Sequence, residues 1–216
     1  MAKKNAGDDV GTREQILRCA ALMFRQEGYA AVTLRNIAKG VGLTTGSFYY
    51  HFQSKEEIVS EILDQGHRRC LLEVRRAVMA LGPDASTRLI LKTAILMHIS
   101  CLHGEDNFPS ANIRIFALVP VEIRTASLSI RHEYERYWVK LLKSCQNRGD
   151  SKLGNDPAVL ANILFGAMNW SLEWYKPKRH KIETIAETLV ELVVETEPSR
   201  NEELLGLRTT LRRQVS

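Results

Sequence analysis

The chain has no apolar stretch near the roughly 20 residues that span a bilayer. Its opening segment, Met1–Asp9, is polar and has no apolar core of a secretion signal. A cytoplasmic protein with no membrane partner is expected. Cysteine is sparse and scattered. Cys19, Cys70, Cys101 and Cys145 form no C-x-x-C pair and no Cys/His cluster at zinc spacing. That argues against a disulfide scaffold or a metal site and predicts buried, reduced thiols. Alternating apolar and polar runs bounded by hairpin turns are also missing, which removes strand-rich folds.

Catalytic signatures are broken wherever they begin. Gly40-Val41-Gly42 starts a G-x-G-x-x-G, but Thr45 stands where its last glycine belongs. His132-Glu133 starts an H-E-x-x-H, but Arg136 replaces the second histidine. There is no P-loop and no nucleophile-elbow serine. No enzyme, cofactor or metal is expected.

What remains reads as helix almost throughout, an all-α protein. Thr12 with Gln15 has the spacing of a capping box, followed by Ile16, Leu17, Ala20, Ala21 and Phe24 at helical period, and Gly28 as a stop. Thr33 starts a second helix, with Val32 and Ile37 at staple spacing, and Gly42 ends it. Thr44 caps a third, running to about Tyr50. Ser54 with Glu57 caps a long fourth, ended by Gly82-Pro83. Further helices are predicted at about 85–103, 110–119, 121–148, 157–175 and 181–196. The predicted organisation is a DNA-binding domain at 10–56, a ligand-binding and dimerisation domain at 57–197, and a tail or short helix at 198–216.

Charge and layout point to duplex DNA. The formal net charge is a modest +5, but residues 1–55 hold eight lysines and arginines against four acids. The basic excess thus coincides with two short helices joined at Gly42, the layout of a helix-turn-helix. Ile37, Ala38, Leu43 and Phe48 supply the small core that sets the crossing angle. Thr45, Gly46, Ser47, Tyr49 and Tyr50 stay outward on the second helix, which would enter the major groove. Gly46 admits close backbone approach, and Thr45 and Ser47 are short hydrogen-bonding groups.

The string Thr33…Ile37-Ala38…Val41-Gly42-Leu43…Gly46-Ser47-Phe48-Tyr49…His51-Phe52…Ser54-Lys55-Glu56 resembles the tetracycline-repressor (TetR) family of bacterial regulators. The resemblance is close over about residues 12–70. Carried over position by position, it implies that Arg35 reads a base and that Thr45, Gly46 and Ser47 contact bases, with Thr44 beside them. It implies groove and phosphate contacts from Tyr49, Tyr50 and His51, and phosphate anchors at Thr33 and Lys55. Phe48 departs from the usual leucine. The resemblance further implies a homodimer on a palindromic operator, paired through the helices at about 157–175 and 181–196. Two apolar stripes suit that pairing: Leu160, Ile163, Leu164 and Ala167, and Ile185, Leu189, Leu192 and Val193.

The middle and late helices carry Met97, Cys101, Phe116, Phe165, Met168, Trp170 and Trp174, an apolar and aromatic set expected to line an effector cavity. The string Trp174-Tyr175-Lys176-Pro177 is similar to a signature of the branch that senses acyl-CoA thioesters, with Lys178 where glycine is usual. The implied effector is a small hydrophobic molecule or an acyl-CoA, and release of a repressor is the implied response. Other hydrophobic effectors, or none, stay open at this point. So does a second DNA-binding role, organising the chromosome rather than controlling a promoter.

Overall fold

The computed structural model describes residues 6–148 and 156–194, with side chains from residue 11 onward. Among the described residues there are ten α-helices and no strand: α1 (Ala6–Glu27), α2 (Leu34–Gly40), α3 (Thr45–His51), α4 (Lys55–Met79), α5 (Thr87–Leu102), α6 (Phe108–Ile115), α7 (Val121–Ala126), α8 (Leu128–Gln146), α9 (Pro157–Trp174) and α10 (Ile182–Val193). The fold is all-α.

The starts of α2, α3 and α4 follow the sequence signals. Thr33, Thr44 and Ser54 each accept the backbone N–H of the third residue on, at 3.2, 3.3 and 3.1 Å. Two expectations need correction. Thr12 lies inside α1, which begins six residues earlier, so it caps nothing. The predicted helix 121–148 is two helices, because Ser127 has ψ near zero and turns the chain. The break serves packing: Ile123 of α7 joins one core cluster, while Ile130, Tyr134 and Trp138 of α8 join the other. The predicted tail at 198–216 lies outside the described residues.

Two apolar clusters build the molecule. The lower one gathers Ile16, Leu17 and Phe24 of α1, Ile37 of α2, Phe48 of α3 and Ile58, Ile62 and Leu63 of α4. It also takes in Phe108, Ala111 and Ile115 of α6, so it reaches well past residue 56. The upper one joins the far half of α4 to α5, α8, α9 and α10 around the fully buried Trp138. Helix α4 belongs to both.

The seam between the clusters is tight. At Gly66 of α4 the backbone of α6 comes so close that a Cβ would lie 2.8 Å from both the Asn112 Cβ and the Phe108 carbonyl oxygen. Asn112 is buried there and donates from Nδ2 to the Leu63 carbonyl at 2.6 Å and to His67 Nδ1 at 2.9 Å. Arg69, one turn further along α4, ties the seam from outside. Its guanidinium lies 4.1 Å from the Phe108 ring centroid and bonds Asp106 at 2.5 Å and Glu14 of α1 at 3.1 Å. Gly66→Ala should therefore force α4 and α6 apart. The expected cost is about 1–3 kcal/mol, or a fall in Tm of roughly 3–10 °C. Thermal unfolding followed by circular dichroism checks this; an unchanged Tm would show that the seam has slack.

Candidate DNA-binding face and effector cavity

Helices α2 and α3 are joined by a turn whose geometry is set by one glycine. Gly42 has φ of +71°, open to glycine and strained for other residues. Leu43 N–H reaches back to the Ala38 carbonyl at 3.0 Å and Gly42 N–H to that of Lys39 at 3.2 Å, the paired bonds of a Schellman stop. Buried Ile37, Ala38 and Phe48 hold the two helices at their angle.

The outer surface of this unit carries no acid. From Gly28 to Lys55 there is neither Asp nor Glu, while Arg35 and Lys39 stand exposed. Thr45, Gly46, Tyr49 and Tyr50 are exposed, Tyr50 most of all at 70%. The Thr44 hydroxyl donates to Ser47 Oγ at 3.0 Å, which leaves the Ser47 proton to point elsewhere. Thr33 in the same way donates to Asn36 Oδ1 at 2.9 Å. A neutral, hydroxyl-rich helix flanked by free cations matches a polyanion with readable base edges.

Two expected contact residues sit differently from the rest. His51 turns inward and is only 8% exposed. Lys55 donates to the Tyr29 carbonyl and its Nζ lies 4.0 Å from the Tyr29 ring centroid. Partial burial lowers the Lys55 pKa, the charge itself being half-sheltered. It anchors the α1–α2 loop to the start of α4.

Above the seam lies a cavity of about 370 Å³. Its floor is Gly66, His67 and Cys70 of α4 with Asn112 of α6, and its walls come from α5, α8 and α9. Asn112 Oδ1, buried at this floor, has no hydrogen-bond partner among the described residues. Phe116 and Phe165 supply aromatic faces. Arg131 closes one side, 4.6 Å from the Phe116 ring centroid and bonded to Glu135 at 2.8 Å. A second hollow of about 410 Å³ lies beside it, bordered by Arg25, Arg114, Trp170 and Glu173. Ile113 and Asn169 border both. A mixed apolar and polar chamber thus adjoins a more charged outer one.

The chain matches the family model described as bacterial regulatory proteins, tetR family, over residues 16–62. Residues 85–196 match the model of a tetracyclin repressor-like C-terminal domain. It belongs to the TetR family. The transcriptional repressor KstR2 of Mycobacterium tuberculosis (strain ATCC 25618 / H37Rv) is 48% identical over 174 residues, covering 80% of this chain and 85% of that protein. KstR2 of Rhodococcus jostii (strain RHA1) is 28% identical over 187 residues, or 86% of this chain and 90% of that protein. Among solved structures, AibR in complex with isovaleryl coenzyme A and operator DNA superimposes with a TM-score of 0.75 at 22% identity, covering 85% of this chain and 98% of that chain. This TetR-family chain is thus a helix-turn-helix transcription regulator. No helix among the described residues is long and apolar enough to cross a membrane.

The expected effector residues divide. Phe116 and Phe165 line the inner chamber and Trp170 the outer one. The other four lie elsewhere, because residue type does not fix which way a helix face looks. Met97 and Met168 pack into the upper cluster, Met168 fully buried. Cys101 borders a separate surface hollow with Arg69 and Asp106. Trp174 faces His180, with ring centroids 5.8 Å apart. Of the thiols, Cys70 and Cys145 are buried, while Cys19 and Cys101 are only half-buried. Polar residues not expected from the sequence also line the cavity: His67, Asn112, Arg131, Tyr134 and Asn169. The signal was present, since His98, Asn112 and Asn169 each interrupt an apolar stretch.

The cavity histidines are uncharged. Burial lowers His98 to a pKa of about 4, and burial with nearby Arg131 lowers His67 to about 4. An unfolded chain takes up these protons near pH 6.5 and the folded chain only near 4. Stability should be full above pH 6.5 and drain as pH falls toward 4, by on the order of a few kcal/mol. Tm measured between pH 7 and 4.5 should fall, and His98→Gln should flatten the profile. A wild-type Tm independent of pH over that range contradicts buried neutral histidines.

Proposed function

We propose that the chain represses transcription as a homodimer bound to a palindromic operator and is released by an acyl-CoA-type effector. The acid-free face of α2 and α3 supports the DNA half of this reading. On it, Arg35, Thr45, Gly46, Ser47, Tyr49 and Tyr50 contact bases and groove, and Thr33 and Thr44 lie beside the phosphates. A single helix-turn-helix spans few base pairs, so two are needed, about 34–36 Å apart.

An unpaired apolar stripe on α9 supports the dimer. Val159, Ile163 and Trp170 are 53%, 61% and 65% exposed, with Gly166 between them allowing close approach; Leu192 of α10 is 71% exposed. The stripe differs from the one expected, since Leu164 and Val193 are buried in the chain's own core. The covering surface is a second copy, and the upper cluster continues across it.

The effector half rests on the joined chambers. A compact acyl group suits the inner one. Its thioester and pantetheine arm would pass Asn169 into the outer one, where Arg25 and Arg114 favour phosphate. The acyl-CoA in the AibR complex and the repressor relatives agree with this class. Occupancy would press on Asn112 and the seam, and through α4 and α6 on the DNA-binding unit. A hundredfold loss of operator affinity needs about 2.7 kcal/mol of coupling. The protein would act in the cytoplasm with its operator, and the cavity would bind its ligand without reaction.

Three measurements test this. On an operator chosen by selection from random DNA, Arg35→Ala should weaken binding at least tenfold by fluorescence anisotropy. Ile163→Arg should yield monomers in analytical ultracentrifugation and lose operator binding. Isothermal titration with a panel of CoA esters should show one site per chain. No heat from any ester rejects the effector class and leaves the DNA half standing.

A further inference from the structure

Asn169 is the one polar side chain that borders both chambers; its companion at the neck, Ile113, offers no hydrogen-bonding group. A ligand that occupies both chambers would lie against it. Its amide is held from behind by a buried chain of hydrogen bonds. The Tyr134 hydroxyl lies 2.7 Å from His98 Nδ1, and His98 Nε2 lies 3.1 Å from Asn169 Oδ1.

The proton inventory orients that chain. A neutral imidazole has one N–H, and burial keeps His98 neutral. Tyr134 is 3% exposed, and its hydroxyl proton has no other acceptor among the described residues. A buried donor left unmade is costly. The phenol therefore donates to Nδ1, Nε2 carries the imidazole proton, and that proton goes to Asn169 Oδ1. Oδ1 is committed, and Nδ2 makes no hydrogen bond among the described residues. Asn169 is only half-buried and borders both chambers, so Nδ2 is left to donate to a ligand there.

We propose that Asn169 selects an effector carbonyl: Nδ2 donates to the carbonyl oxygen of the acyl thioester at the neck, and Tyr134 and His98 act as positioning residues that hold the amide in that sense. This rests on the acyl-CoA reading and adds a polar checkpoint to it. The acyl group fills the inner chamber by apolar contact, while the carbonyl must sit at the neck. A ligand of the same shape with no acceptor there leaves the amide unpaired.

The test compares a CoA thioester with its S-alkyl-CoA thioether, in which CH2 replaces the carbonyl, using the ester that binds best in a titration panel. The full-length wild-type dimer should bind the thioester about tenfold more tightly, the worth of one well-placed hydrogen bond. Asn169→Leu should bring the two affinities within about twofold. Tyr134→Phe should narrow the ratio without abolishing binding, because a released His98 no longer fixes the amide. A merely structural role for either residue would weaken both ligands equally and leave the ratio intact. Equal wild-type affinities for thioester and thioether overturn the assignment while the acyl-CoA reading survives. Failure of every CoA compound to bind overturns both.

Discussion

The contact between α4 and α6 at Gly66 is the constraint on which the rest depends. Helix α4 is shared by both apolar clusters, so the DNA-binding unit and the upper domain are one continuous packing problem. Glycine lets the α6 backbone come close enough for Asn112 to take hold of the Leu63 carbonyl at 2.6 Å. The same asparagine, with the same glycine, forms part of the cavity floor. A molecule entering the cavity therefore meets the joint itself. Packed interiors do not deform smoothly, so displacement there shifts a helix rather than dissipating in side chains.

Polar groups divide the labour along this axis. Arg69, Arg13 and Lys55 are engaged with acids, carbonyls and rings, and hold α1, α4 and the loops together. Arg35 and Lys39 stand exposed on a segment, Gly28 to Lys55, that holds no acid. Within the cavity the histidines are neutral and the hydrogen bonds short and directed. Charge thus holds the scaffold together, while neutral groups form the cavity floor.

Much of this was legible in the sequence. Short-range chemistry announced itself: Thr33, Thr44 and Ser54 as caps, Gly42 as the left-handed stop, and the helix-turn-helix between them. These signals are local, and a helix end has few ways to satisfy its N–H groups. Where the reading missed, the cause was tertiary. Ser127 breaks a helix because its two halves serve different clusters. Thr12 has cap chemistry but sits inside a longer helix. His51, expected at the groove and phosphates, is buried. Of the apolar residues expected at the cavity, Phe116, Phe165 and Trp170 border its chambers, whereas Met97 and Met168 pack into the core, and polar residues from five helices complete the lining. Which face of a helix looks inward is decided by partners far along the chain.

The central claim is that filling the cavity moves the DNA-binding units of a dimer relative to each other. The distance between two spin labels, carried by an unnatural amino acid at exposed Gln26 of α1 in each protomer, measures it most directly. With operator bound, the separation should fit half-sites one helical turn apart. With a bound CoA ester and no DNA, the account predicts a distribution displaced from that one by several ångströms. Identical distributions in the two states would contradict it.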